Sequence, residues 1–421
     1  MSYRYFVGLA VCALCVVLVS PQGSQGATFY VDGSVAGPGT GTIGDPFKSI
    51  QDAIDVGMDN EVQVAGGVYD ESLELSVGTQ LLGGFAPGFG SRDIVANLTT
   101  IDGQDNKRCI LANVGVTDFL VDGFSIVSGT AFASLVGEEN GGGLRVLDNA
   151  TGVVSNCIFD DCHADSGGAI AIEGDLIDLL VSHCSILNCT ADDDSGAVKF
   201  DNGDSTLVVD RCVIANCSGG DDGGAIKTGD STGPNVTISN CLFLNNSAGD
   251  ESVVEGRFGT RILNCTFVGN TAPDGDGIVV ERTNSSNAPS AVMELVNNIF
   301  VDNVVNTGGA PVFFVREAGL IGNLTTTNNL VFNNTADGGA GFALDGRLTG
   351  NGNFEDDPLF VDAPNEDFHL QGGSPAVDAG ADLSAVFTED LDGDTRPDGG
   401  AFDIGAYEGS TPLSVLGWEY Y

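Results

Sequence analysis

The chain has four lysines, and two of them, Lys199 and Lys227, occupy matching places just after an acidic turn. Strand alternation points their neighbours Val198 and Ile226 inward and both amines outward, with Arg145 on an earlier coil of the same column. Such an amine has three uses. It can abstract a proton next to a uronate carboxylate, as in a lyase, with Asp222 opposite to hold a neutralising cation. Together with Arg145 it can bind a carboxylated or sulfated glycan. It can also simply balance nearby aspartates as a solvated charge. A glycosidase needs two carboxylates spaced as acid and base. Asp160-Asp161 and Asp221-Asp222 are adjacent pairs, and adjacent strand residues point to opposite faces. The three histidines, His163, His183 and His369, form no catalytic motif, and His369 reads as structural.

The turns preceding the lysines line up as an acidic column: Asp165, Asp193 with Asp194, Asp221 with Asp222, Asp250, Asp274 with Asp276, and Asp337. Two carboxylates one coil apart repel by about 0.9 kcal/mol even in bulk water. Calcium, a hard ion that takes oxygen ligands, would relieve this at Asp193, Asp194, Asp221 and Asp222; salt screening of solvated turns is the competing reading. Asp390, Asp392 and Asp394 form a second candidate calcium site, spaced like the start of a calcium loop but without a glutamate at its twelfth position. A salt bridge to Arg396 competes there. No cofactor is required by the sequence, and calcium is the one these carboxylates would suit.

Nine cysteines follow residue 26, and eight of them are periodic. Cys157, Cys184, Cys212, Cys241 and Cys265 form one column, continued by Asn298 and Asn329. Cys162, Cys189 and Cys217 form another, continued by Asn246, Asn270, Asn303 and Asn334. Stacked free thiols, inter-coil disulfides and a metal site are all open to these columns, although no Cys-x-x-Cys pair favours the metal. Asparagine in the same slot both donates and accepts between coils.

The elements that place these residues follow from the repeat. Asn156-Cys157-Ile158-Phe159 leading to Cys162 recurs from His183, Arg211, Asn240, Asn264, Asn297 and Asn328, with copies 24 to 33 residues apart. Gly167-Gly168-Ala169-Ile170, Ser195-Gly196-Ala197-Val198 and Gly223-Gly224-Ala225-Ile226 follow three of them. A period of this length means a solenoid, a propeller or an array. The segments are short, β-branched and alternating, too short for helices, and a propeller blade needs four antiparallel strands in ~40–45 residues. Two or three strands per repeat, stacked in parallel, predict an all-β right-handed parallel β-helix. Residues 49–56 read as a short N-terminal capping helix with Ile50, Ala53 and Ile54 on one face, and the C-terminal block should cap the other end.

Acidic residues number 59 against 15 Lys and Arg, a net charge of −44 over 421 residues, which excludes a nucleic-acid or anionic-membrane surface. Arg4, an apolar run over residues 7–19, and Ser24 and Gly26 before Ala27 read as an export signal over 1–26. That run is too short to span a bilayer, and no later segment is long and apolar enough. The expected organisation is one β-helix domain over 27–410, divided into an N-terminal cap and first coils (27–108), central coils (109–350) and a C-terminal cap (351–410), followed by a tail, 411–421.

The Phe-x-x-Asn and Gly-Gly-Ala-Ile pair resembles the repeats of chlamydial polymorphic outer membrane proteins. Phe29-Tyr30-Val31-Asp32, Gly44-Asp45-Pro46-Phe47 and Leu81-Leu82-Gly83-Gly84-Phe85 resemble the starts of bacterial secreted β-helix proteins of the pectate-lyase-like superfamily. Asp357-Pro358-Leu359-Phe360, Ser374-Pro375-Ala376-Val377-Asp378 and Asp403-Ile404-Gly405-Ala406-Tyr407-Glu408 look like a choice-of-anchor Q domain. The resemblance implies a bacterial, exported β-helix. The tail lacks the apolar span and basic end of a sorting anchor, so release or non-covalent surface attachment is expected. These features favour a secreted or cell-surface β-helix that binds or scaffolds polysaccharide or another surface without catalysis. A calcium-dependent polysaccharide lyase or glycoside hydrolase is the alternative, and a purely structural envelope protein the third.

Overall fold

The computed structural model describes residues 26–131, 139–201, 205–229, 235–250, 252–256, 259–272, 277–281, 293–305, 312–315, 324–336, 339–340 and 351–409. Residues 1–25 of the expected export signal, the tail, Asp274, Asp276 and Asp337 lie outside the described residues. Among those described, the chain winds into a solenoid whose coils contribute one strand each to long sheets. The first sheet has eleven strands, from Thr28–Val31 to Leu324–Thr327, and the second has eleven, from Gly67–Tyr69 to Phe354–Glu355. The third has eight two-residue strands beginning at His163–Ala164, and the fourth has nine, from Leu73–Glu74 to Phe313–Val315. A central coil runs Thr206–Asp210, Val213–Ala215, Ser218–Gly219, Ile226–Thr228. The expected two or three strands per repeat are therefore four in the central coils, because a two-residue strand is too short to leave an alternating pattern.

The asparagine that opens most repeat copies has a backbone role. Asn156, Asn240, Asn264, Asn297 and Asn328 turn the corner between the first and second sheets with φ between 50° and 60°, a left-handed conformation asparagine tolerates better than most residues. His183 and Arg211 hold the same conformation in the coils that lack it. A second left-handed corner follows at Asp161, Asn188, Asn216, Asn245, Asp302 and Asn333, just before the second column.

Between the corners, alternation buries one side of each strand. Phe159, Ile186, Ile214, Phe243, Phe267 and Phe300 stack inside the second sheet; the Phe243 and Phe267 rings are 4.4 Å apart and the Phe267 and Phe300 rings 4.7 Å, both nearly parallel. Burying each such side chain contributes about 1.5–3 kcal/mol. The cysteine and asparagine columns also point inward. All nine described cysteines are free and buried. Their S–H groups donate to backbone carbonyls, as Cys184 does to Ser182 (3.3 Å) and Val154 (3.7 Å). The asparagines form ladders: Asn270 Oδ1 accepts the amide (2.9 Å) and the side chain (3.0 Å) of Asn246, and Asn303 and Asn334 repeat the arrangement. Asn298 and Asn329 do the same in the first column, and Asn353 extends it by one rung.

The expected N-terminal helix is present as Ile50–Ile54. Ser49 caps it by accepting from Asp52 N (3.3 Å), and its apolar face is buried against the first coils. The C-terminal block, expected at the far end of the stack, also covers its flank. Residues 354–355 add the last strand of the second sheet, and the chain then doubles back along the solenoid's flank. Phe368, Leu370, Ala376, Ile404 and Ala406 pack on Leu242, Leu244, Val268, Ile299 and Val301, which point outward from the second sheet. Asn264 Nδ2 donates to the carbonyls of Asp403 (2.7 Å) and Gly405 (3.1 Å), and Glu389 pairs with Arg211. The described contacts of this block thus add the last rung of the second sheet and clamp the side of the stack.

Candidate functional site

The register places Arg145, Ala171, Lys199, Lys227 and Glu255 in one outward column of the fourth sheet. This is the column read from the sequence, but it is not open to solvent as expected. Arg145 is 8% exposed, Glu255 is fully buried, and the side chains of Lys199 and Lys227 are 12% and 14% exposed. The acidic turns fold over it: Asp194 and Asp222 are buried and aim their carboxylates at the amines. Lys227 Nζ lies 2.8 Å from Asp194 Oδ1 and 3.0 Å from Asp222 Oδ2, bridging two coils. Lys199 Nζ lies 3.1 Å from Asp201 and 3.5 Å from Asp194. Arg145 Nε bonds Glu173 at 2.6 Å.

Burial alone would lower the Lys199 ammonium, but Asp201 and Asp194 beside it outweigh that and raise it. Lys227 is raised in the same way, with the Asp194 bond and the Glu255 charge overcoming burial. Each amine is therefore held protonated, the wrong state for a general base. Asp222 is not a free ligand opposite Lys227 but its hydrogen-bond partner.

Asp193, Asp194 and Asp221 come together, each offering a carboxylate oxygen within 4.8 Å of the others. Asp193 is raised first by burial and then by Asp194; Asp221 is raised by burial and then by Asp222. The set fits a hard cation in donor type, since all three offer oxygen. However, Asp194 already spends both oxygens on lysines, so a cation there would compete with two ammonium groups. Asp222 lies with Lys227 rather than in this cluster.

Of Asp390, Asp392 and Asp394, the first two spend their carboxylates on protein partners. The Asp390 carboxylate is buried and accepts the amides of Asp392 (3.0 Å), Asp394 (2.7 Å) and Glu408 (2.7 Å), so it closes a turn. Asp392 bonds His369 Nε2 at 2.8 Å. Arg396 does not bridge these aspartates: it pairs with Glu408 at 2.8 Å, both side chains fully buried. His369 is clamped between Asp392 and Asp367 (2.7 Å) and rests on the Tyr407 ring. Burial would lower its pKa, but the two carboxylates outweigh burial and raise it to about 8. Asp201, Glu173 and Glu255 were missed by the sequence reading. The signal for Asp201 was present, because Lys199 and Asp201 are two apart on one strand and share a face.

Residues 99–271 match the family model for the right handed beta helix region. This is a right-handed parallel β-helix. Among solved structures, pectate lyase Pel9A superposes with a TM-score of 0.53 at 12% identity, covering 91% of this chain and 97% of that one. A rhamnogalacturonan lyase gives 0.39 at 13% (72% and 87% covered), and the pectin methylesterase from Aspergillus niger 0.34 at 13% (89% and 98%). At these identities the likeness concerns the fold alone. No curated protein matches the sequence. No helix among the described residues is long and apolar enough to cross a membrane.

Proposed function

We propose that this β-helix is a secreted or cell-surface protein that binds or scaffolds polysaccharide or another surface component without catalysis. The observation that carries this reading is Lys227, the best-placed basic group of the column, held as a cation between Asp194 and Asp222. An amine in that setting stabilises the stack and is withheld from substrate. Export rests on the apolar run over residues 7–19 behind Arg4. The surplus of acidic residues favours neutral over acidic polysaccharide as ligand.

The cluster of Asp193, Asp194 and Asp221 supports a second reading, in which calcium bound there assists a lyase or glycoside hydrolase acting on extracellular polysaccharide. One experiment separates the two. The purified protein is incubated with neutral and acidic polysaccharides in calcium and in EDTA, following unsaturated-sugar absorbance, new reducing ends and retention on immobilised polysaccharide. Retention without cleavage is the expected result. Calcium-dependent cleavage, lost in K227A or D193N, would establish the second reading, and neither retention nor cleavage would leave a structural envelope role.

A further inference from the structure

The cysteine columns take no part in the site above. In the first, the strand registers stack Cys157, Cys184, Cys212, Cys241 and Cys265 on successive coils, and Cys212 N donates to Cys241 Sγ at 3.4 Å. The second stacks Cys162, Cys189 and Cys217 in the same way. Neighbouring coils lie ~4.8 Å apart, inside the ~4.4–6.8 Å Cα separation that a disulfide spans, whereas a two-coil jump of ~9.6 Å lies outside it. The fold thus brings each thiol within bonding reach of the next rung only.

We propose that these columns are an oxidative cross-linking site, at which thiols on adjacent coils are joined into disulfides by exchange with a small-molecule disulfide such as oxidised glutathione. One column thiolate attacks the reagent and expels one glutathione thiolate, giving a mixed disulfide. The neighbouring thiolate then attacks the column sulfur and expels the second. The two column thiols lose two electrons, the reagent gains them, and the two protons end on the released thiols. Burial pushes the Cys184 and Cys241 thiols up, so exchange is slow in the closed stack and proceeds as coils open or as the chain folds. Each bond in the first column closes a loop of 24 to 29 residues and ties neighbouring coils along the solenoid axis.

The odd number of thiols in the first column gives this proposal a specific signature. Five rungs in a row accept two adjacent-rung bonds in three ways, leaving Cys157, Cys212 or Cys265 unpaired. Replacing Cys212 leaves one pattern, Cys157–Cys184 with Cys241–Cys265. The test is incubation of the folded protein and of C212A with oxidised glutathione, followed by intact-mass measurement and mapping of cross-linked peptides without reduction. Circular dichroism checks that the variant keeps its β spectrum. Cross-links between adjacent coils only, in the first column in several patterns in the wild type and one in C212A, all reversed by dithiothreitol, are expected. Column thiols that all stay free after prolonged oxidation, glutathione adducts without cross-links, or column bonds that skip a coil or join two chains would overturn the proposal. If C212A fails to fold, the wild-type map decides alone.

Discussion

The two halves of the solenoid fill one pair of interior columns with different chemistry. From Cys157 to Cys265 the slots hold thiols, each a weak donor to nearby carbonyls. From Asn246 to Asn353 they hold amides, each of which accepts from the coil before, twice where that coil also carries the amide, and gives one N–H to a carbonyl of the same preceding coil. Both solutions leave the slot buried and satisfied. They differ in dependence: a thiol can be lost with little left unpaired, whereas a lost asparagine strands the backbone amide and side chain of its neighbour. The thiol half resembles a hydrophobic core with a polar trim, and the amide half a hydrogen-bonded ladder in which every rung needs the next.

The ion-paired face sets the upper end of the scale for breaking this comparison. K227M should destabilise the fold by about 3 kcal/mol, because it leaves Asp194 and Asp222 buried without their shared cation. Urea denaturation measures it, and a loss under 1 kcal/mol would mean that the turns open freely to water. Within the amide half, N303A should cost about 2–3 kcal/mol, since the Asn270 amide and side chain lose their acceptor at 2.9 and 3.0 Å. In the thiol half, C189A should cost only about 1 kcal/mol by the same measurement. Similar losses for N303A and C189A would erase the distinction between the halves. Reciprocal swaps at the junction sharpen it: N246C should be clearly more costly than C217N, which offers the ladder another rung.

The smallest effect belongs to the flank clamp. The folded pKa of His369, about 8, lies above the ordinary value of 6.5, so its contribution is complete below about 6.5 and is lost as pH rises through about 8. The difference in thermal midpoint between wild type and H369N should therefore shrink between pH 6 and pH 9. A constant difference would remove the imidazolium from the clamp.

The periodic parts of this architecture were legible in the sequence. The repeat identified the coil, the Asn and Cys positions identified the columns, and the spacing of Ile50, Ala53 and Ile54 identified the helix. Two features were not read, for different reasons. An acidic turn recurs with the repeat but has no strand alternation, so nothing in its composition says that Asp194 and Asp222 fold inward over the lysines rather than out to solvent. The clamp joins residues some 140 apart, such as Asn264 and Gly405, beyond any local pattern. It did leave a trace that went unused. Outward positions of the second sheet are polar at Ser125 and Ser185 but apolar at Leu242, Leu244, Ile299 and Val301, and a strand apolar on both faces is covered on both.

The central functional claim is that the amines of the fourth sheet are locked as cations and not poised as bases. It is tested most directly by NMR titration of the Lys227 Nζ in the folded protein, labelled with nitrogen-15 lysine and assigned with K227R. The account predicts an amine that stays protonated through pH 10.5, the ordinary lysine value, and above it. Deprotonation near neutral pH would contradict it and return Lys227 to the role of catalytic base.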